Sequence, residues 1–157
     1  MSASPKHPHG KLAANRKALR DYAVLERIEA GIELRGTEVK AVRNGLAALA
    51  GGYALAEGGE MFLHGVKIPA YEQGNRFNHE PMRRRRLLLH RREIRRFAVQ
   101  TEQKGLALVP LGLYLKKGRV KVELGVCRGK RQADKRETLR RKTAEREAAR
   151  EIARLKS

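Results

Sequence analysis

The sequence predicts a mainly β fold with flanking helices, a small antiparallel barrel, closed or partly open, followed by a basic C-terminal tail. Three observations predict it. Val120, Val122, Leu124 and Val126 alternate with Lys121, Glu123 and Gly125, which is the period of a strand with one buried face. Gly58-Gly59 and Lys117-Gly118 each sit between two strand-like segments, where a glycine tolerates the positive φ of a tight hairpin turn. Helical patterns are few, too few to cover both faces of a parallel sheet, so an antiparallel barrel is the architecture left.

Taken in order, residues 1–14 mix Pro, Gly, Ser and His with little apolar content and are expected to lack fixed structure. From Asp21 the pattern is that of a strand: Tyr22 and Val24 alternate with polar neighbours, and Ile28, Ala30, Ile32 and Leu34 continue a period of two. Gly31 inside that pattern predicts a bulge or tight bend of the kind that closes a barrel. Gly36-Thr37 opens a short helix with Thr37 as N-cap, Val39 and Val42 on one face and Asn44-Gly45 as its end. Tyr53–Glu57 and Glu60–Ile68 form the first hairpin, residues 70–82 a loop, and Arg83–His90 a strand. Arg91–Lys104 is the best helix, with Ile94, Phe97, Ala98 and Thr101 on one stripe and Gly105 as its stop. Leu106–Leu115 and Arg119–Val126 complete the core as the second hairpin.

Beyond Arg128 the apolar content collapses. Leu139, Ile152 and Leu155 are the large apolar residues left in a segment rich in helix formers. Glu137 and Arg141 form an i,i+4 pair, whereas Arg146, Arg150 and Arg154 stack on one face and repel. The tail is therefore expected to be disordered when free and helical when phosphates quench that repulsion. The chain divides into a flexible basic N-terminus (1–14), a barrel (15–127) and a basic tail (128–157).

Charge points to the partner. The chain has 36 Lys+Arg against 17 Asp+Glu, a formal net charge of +19 on 157 residues. Residues 1–20 hold five basic groups and no acid, and residues 128–157 hold twelve basic groups and five acids. An apolar core with basic extensions is the composition of a nucleic-acid binder, because neutralising phosphates releases condensed counterions. With three Phe, four Tyr and no Trp the chain is poorly equipped to stack many single-stranded bases, which favours recognition of a folded RNA by shape and backbone. No apolar run approaches a membrane span, so a soluble cytoplasmic protein is expected.

Candidate chemistry is sparse. Cys127 is the lone cysteine, which excludes an intramolecular disulfide and a thiolate zinc cluster and fits a small buried side chain at a strand end. The histidines (His7, His9, His64, His79, His90) are scattered, and no His-x-x-x-His or acidic cluster supports a metal. His79 beside Glu80 is the one candidate acid–base pair, but adjacent residues seldom converge on one substrate, and a nuclease would need a second acid or metal ligand. The glycines match neither phosphate-binding fingerprint. Nothing in these residues argues for an enzyme, a cofactor or a metal. In Arg83-Arg84-Arg85-Arg86-Leu-Leu-Leu-His90, alternate arginines must face opposite sides of a strand. One pair is expected to grip phosphate while Leu87 and Leu89 enter the core.

Several stretches together resemble one family. Asn15-Arg-Lys-Ala18, Glu29-Ala-Gly-Ile32, Gly36-Thr-Glu-Val-Lys40, Tyr71-Glu-Gln-Gly-Asn-Arg-Phe-Asn-His79, Arg85-Arg-Leu-Leu-Leu-His-Arg-Arg-Glu-Ile94, Leu113-Tyr-Leu-Lys-Lys-Gly-Arg-Val-Lys-Val-Glu-Leu124 and Asp134-Lys-Arg-Glu137 occur in this order. They resemble bacterial small protein B, the SsrA-binding proteins of trans-translation. The resemblance implies an oligonucleotide-binding-type β-barrel and, as partner, the tRNA-like domain of transfer-messenger RNA. It implies RNA contacts at Asn15, Glu29 and Leu88, to which charge adds Arg16, Lys17, Lys40 and Arg43. It further implies that the tail becomes helical in the empty mRNA channel of a stalled ribosome. There Lys130, Arg131, Asp134, Lys135 and Arg136 would lie near the decoding centre, while elongation factor Tu is engaged indirectly through the RNA. The leading expectation is an RNA-binding adaptor without catalytic activity, with a ribosomal protein that binds ribosomal RNA permanently as the alternative; a monomer is expected. Two departures stand out: Ala133 where the family commonly has Tyr or His before Asp-Lys-Arg, and Gly51-Gly52 where a polar pair is commoner.

Overall fold

The computed structural model describes residues 11–71, 79–130 and 132–155. Its elements in chain order are β1 (Lys11–Ala14), α1 (Arg16–Asp21), β2 (Tyr22–Ile32), α2 (Gly36–Arg43), β3 (Tyr53–Glu57), β4 (Glu60–His64), β5 (Arg85–Leu88), α3 (Arg91–Gln103), β6 (Ala107–Lys116), β7 (Arg119–Gly129) and α4 (Gln132–Leu155). All strand pairs are antiparallel. The order β1-β6-β3-β4-β5-β2-β7 closes on itself through β6–β7, so β2 to β7 form a barrel and β1 lies against the free stretch of β6.

The periodic segments fold as their pattern requires. In β7, Val120, Val122, Leu124 and Val126 all enter the core, opposite the alternating residues of β6. The Lys117-Gly118 turn takes positive φ at both positions (51° and 74°), the left-handed conformation of a two-residue hairpin. The barrel interior is filled by Met61, Leu63, Leu87, Leu108, Leu113, Val122 and Leu124, capped at α3 by Ile94 and Phe97. A smaller apolar cluster of Ala18, Val109, Leu111 and Cys127 lies under α1, with Cys127 buried at the strand end as expected.

The structure departs from the sequence pattern in instructive places. Lys11–Ala14, expected to lack order, pairs with Gly112–Tyr114 as β1. Gly112 makes that possible, since a Cβ there would lie 3.0 Å from Lys11 Cε and 3.2 Å from the Ala13 carbonyl oxygen. The bulge of β2 falls between Val24 and Glu26 rather than at Gly31, and a second falls in β6 between Pro110 and Gly112. Strand β4 stops at His64, short of Ile68. Gly65 there takes φ 72°, and a Cβ would meet the Gly51 carbonyl oxygen at 2.7 Å. Strand β5 begins at Arg85 and ends at Leu88, shorter than Arg83–His90.

Thr37 is not the cap of α2. The cap position is Arg35, whose N–H donates to the Glu38 carboxylate at 2.9 Å, while the Thr37 hydroxyl bonds His79. Asn44-Gly45 ends the helix as the pattern implied, with Gly45 at φ 73°. The tail from Gln132 to Leu155 is one helix, α4, in line with its run of good helix formers. From Arg140 to Leu155 every residue of α4 is exposed, and its principal packing contact is with α1. No helix of the described residues is long and apolar enough to cross a membrane.

Candidate RNA-binding surface

An open cleft of about 740 Å³ lies between β2, β5, the β3–β4 turn and the start of α3. Glu29, Gly31, Leu88, His90, Arg91, Arg95 and Lys121 are among the residues that line it, with Arg86, Glu60 and Glu93. Strand pairing assembles it. Gly31 pairs with Leu88 on one side and Lys121 on the other, and Glu29 lies two residues back on the same face of β2. Leu88 is 50 % exposed, an apolar side chain left open on the floor of a polar cleft.

The carboxylate of Glu29 is held in place and held ionised. The Tyr114 hydroxyl donates to Oε2, and the Lys116 ammonium lies 3.2 Å from Oε1 and 3.3 Å from Oε2. The Tyr114 hydrogen bond is the main cause of a pKa below the usual carboxylate range; partial burial opposes it, and Lys116 and Lys121 reinforce it. Tyr114 is correspondingly harder to ionise, through burial and then through its bond to Glu29. At neutral pH Glu29 is therefore an acceptor only, suited to N–H and O–H donors of a base or ribose.

The arginine run splits by alternation: Arg83 and Arg85 turn inward to Glu38, while Arg84 and Arg86 stay exposed. Arg85 is fully buried. It donates to Glu38 Oε2 (2.6 Å), to the Val66 carbonyl (2.7 Å) and to the Pro81 carbonyl (3.0 Å). Arg83 binds the other oxygen of the same Glu38. Arg84 pairs with Glu57 and lies over the Phe62 ring at 4.0 Å. Arg86 alone of the four lines the cleft, within 3.4 Å of Glu60. Leu87 enters the core and Leu89 packs partly buried against it; Arg84 and Arg86 are the exposed pair of the run, each ion-paired with a glutamate, Glu57 and Glu60.

The remaining predicted positions fall elsewhere. Asn15 is only 3 % exposed. Its Oδ1 accepts the Ala18 N–H (3.1 Å), which caps α1, and its Nδ2 donates to the carbonyls of Pro110 (2.9 Å) and Leu49 (3.3 Å). Asn15 and Lys17 border a second, smaller hollow beside Tyr22, Gly51, Gly52 and Tyr53, away from Glu29. Arg16 and Lys17 are exposed on α1; Lys40 and Arg43 are exposed on α2, with the Lys40 ammonium 5.8 Å from the Tyr71 ring centre. None of these four lines the cleft. Lys130 donates its backbone N–H to the Asp21 carbonyl (3.0 Å), which fixes the start of the tail beside α1. Asp134, Lys135 and Arg136 lie on the first turns of α4, and Arg131 lies outside the described residues.

His79 is buried between Ile68 and α2. Its Nε2–H donates to the Ile68 carbonyl oxygen (2.7 Å), which can only accept, and in that neutral tautomer Nδ1 accepts a hydrogen bond from the Thr37 hydroxyl (2.8 Å). Both ring nitrogens are used, and no face is open to a substrate. Sequence reasoning missed Arg91, Arg95 and Lys121, which form the basic rim of the cleft. The outward position of Lys121 in the alternating strand was the one available signal.

The model of a family described as "SmpB protein" matches residues 12–154. The chain belongs to that family. An SsrA-binding protein of Geobacillus thermodenitrificans is 52% identical over 146 residues, which covers 93% of this chain and 94% of the relative. One from Staphylococcus aureus is 52% identical over 150 residues, covering 96% and 97%. A solved structure described as "tmRNA-SmpB: a journey to the center of the bacterial ribosome" superposes with a TM-score of 0.66 at 47% identity, over 82% of this chain and 94% of that one. The SmpB family and this structural match agree with the barrel and flanking helices reached from strand periodicity.

Proposed function

We propose that this chain is the RNA-binding adaptor of trans-translation. Its barrel binds the tRNA-like domain of transfer-messenger RNA, and its tail enters the empty mRNA channel of a stalled ribosome. The observation that carries the reading is the meeting of Glu29 and Leu88 in one cleft with a basic rim, in a chain whose relatives are named SsrA-binding proteins. Glu29 supplies a fixed acceptor, Leu88 an apolar floor, and Arg91, Arg95 and Lys121 the charge that draws in backbone phosphates. Asn15 supports the reading as a positioning residue that holds α1, and with it Arg16 and Lys17, against β6.

The tail acts separately. Helix α4 is exposed along Arg140–Leu155, a rod of basic charge that fits a channel lined by RNA phosphates. Lys130, Arg131, Asp134, Lys135 and Arg136 at its root would face the decoding centre, where Ala133 forgoes a stacked ring and a loss of about 1–3 kcal/mol is the usual consequence. Elongation factor Tu is engaged through the RNA. The protein acts as a cytoplasmic monomer without cofactor or catalytic step.

Removing residues 130–157 tests the division of labour. The shortened barrel should bind the tRNA-like RNA with an affinity close to that of the full chain, yet fail to support tagging of stalled peptides. A loss of affinity as large as that of a Glu29→Ala/Leu88→Ala double variant would overturn it.

A further inference from the structure

The floor of the cleft is shaped by a missing side chain. Because Gly31 has no Cβ, Leu88 lies down across β2 instead of standing away from the sheet. A Cβ at position 31 would meet Leu88 Cβ at 3.1 Å and Cδ1 at 3.3 Å. The result is a low apolar platform with Glu29 at one edge and Lys121 across the strand. A flat ring laid on it would present its edge to the Glu29 carboxylate.

That carboxylate has acceptor capacity to spare. An ionised carboxylate offers about four lone-pair sites. Tyr114 uses one on Oε2, and the single ammonium of Lys116 lies between both oxygens. With Lys116 settled on Oε1, each oxygen keeps one open site, so the group can accept two parallel donors. Of the four RNA bases, guanine alone carries two adjacent N–H donor groups on one edge. Adenine and cytosine offer one amino group there, and uracil one N–H.

We propose that the Leu88–Gly31 platform seats a single unpaired guanine of the bound RNA, whose N1–H and 2-amino group donate to the two oxygens of Glu29. The flanking phosphates fall to Arg91, Arg95 and Lys121. The proposal rests on the RNA-binding reading of this cleft and adds a base identity to it. An acid in a basic site thereby has a purpose that charge attraction cannot give it.

Inosine lacks the 2-amino group and keeps N1–H, so it removes one of the two bonds without changing ring shape. The experiment measures binding of the full-length chain, and of Glu29→Ala, to synthetic tRNA-like-domain RNAs in which each unpaired guanosine is replaced in turn by inosine. One replacement should weaken the unaltered protein about tenfold, as expected for losing a hydrogen bond to a charged group. The same replacement should leave Glu29→Ala unaffected, since both acceptor oxygens are already gone. Gly31→Ala, checked for an unchanged circular dichroism spectrum, should show the same loss of guanine preference by lifting Leu88. If every inosine RNA binds within about twofold of the parent, the seat is blind to the base and the proposal fails, while the adaptor reading stands. If the parent RNA itself does not bind, both fail.

Discussion

Replacing Glu38 by Ala removes the carboxylate on which the arginine run converges. Glu38 and Arg85 are both fully buried, and among the described residues the Arg85 guanidinium has no other counter-charge at bonding distance, only the carbonyls of Val66, Glu80 and Pro81. Truncation therefore leaves a desolvated cation, a change that typically costs about 3–5 kcal/mol. The Arg83 contact and the N-terminal bond of α2 to the Arg35 N–H go with it. Against a typical domain stability of about 5–15 kcal/mol, this is a large fraction. Urea unfolding monitored by circular dichroism should show a lower midpoint at unchanged slope. Glu38→Leu combined with Arg85→Leu should cost less than Glu38→Ala alone, because no charge is left unpaired. A Glu38→Ala loss below about 1 kcal/mol, the level of an exposed ion pair, would refute the reasoning. The same residue sets an acid limb of stability. Burial pushes the Glu38 pKa up, but the bonds from Arg83, the Arg35 N–H and Arg85 outweigh it and hold the group below the usual carboxylate range. Its contribution is thus complete above the unfolded-state pKa and is lost as pH falls through the folded one. Glu38→Gln should flatten that limb.

Asn15→Ala should lower thermal stability, since it removes the cap of α1, worth about 0.5–2 kcal/mol, and leaves two buried carbonyls short of a donor. Weakened RNA binding with an unchanged melting temperature would instead make Asn15 a direct contact. Cys127 is buried and its thiol pKa is pushed up to about 11, chiefly by that burial, so iodoacetamide at pH 8 should label it in urea and spare it in the native protein. Rapid labelling of the folded chain would contradict the packing under α1.

What could be read from the sequence was local. The β6–β7 hairpin was legible because its period of two and its Lys117-Gly118 turn lie within one short stretch. Strand β1 was not, because Lys11–Ala14 alternates weakly and its place depends on a glycine in β6. Alternation correctly sent neighbouring arginines to opposite sides of a strand, yet it could not show that Glu38, on a helix far away in sequence, would draw Arg85 into the core. The turn to Glu29 and Leu88 came from family resemblance, and strand pairing at Gly31 then brought them to one cleft. Arg91, Arg95 and Lys121 were hidden among 36 basic residues, because composition gives the amount of charge and only the fold decides which charges share a face.

The most direct test is a salt-titrated binding assay of the full-length protein, comparing the tRNA-like domain of transfer-messenger RNA with an ordinary alanine tRNA. Clear preference for the former at physiological salt is expected, with log affinity falling against log salt by about 0.7–0.9 per phosphate neutralised. Equal binding to both RNAs would mean that the cleft responds to charge alone, and the adaptor function would have to be abandoned for a general RNA-binding one.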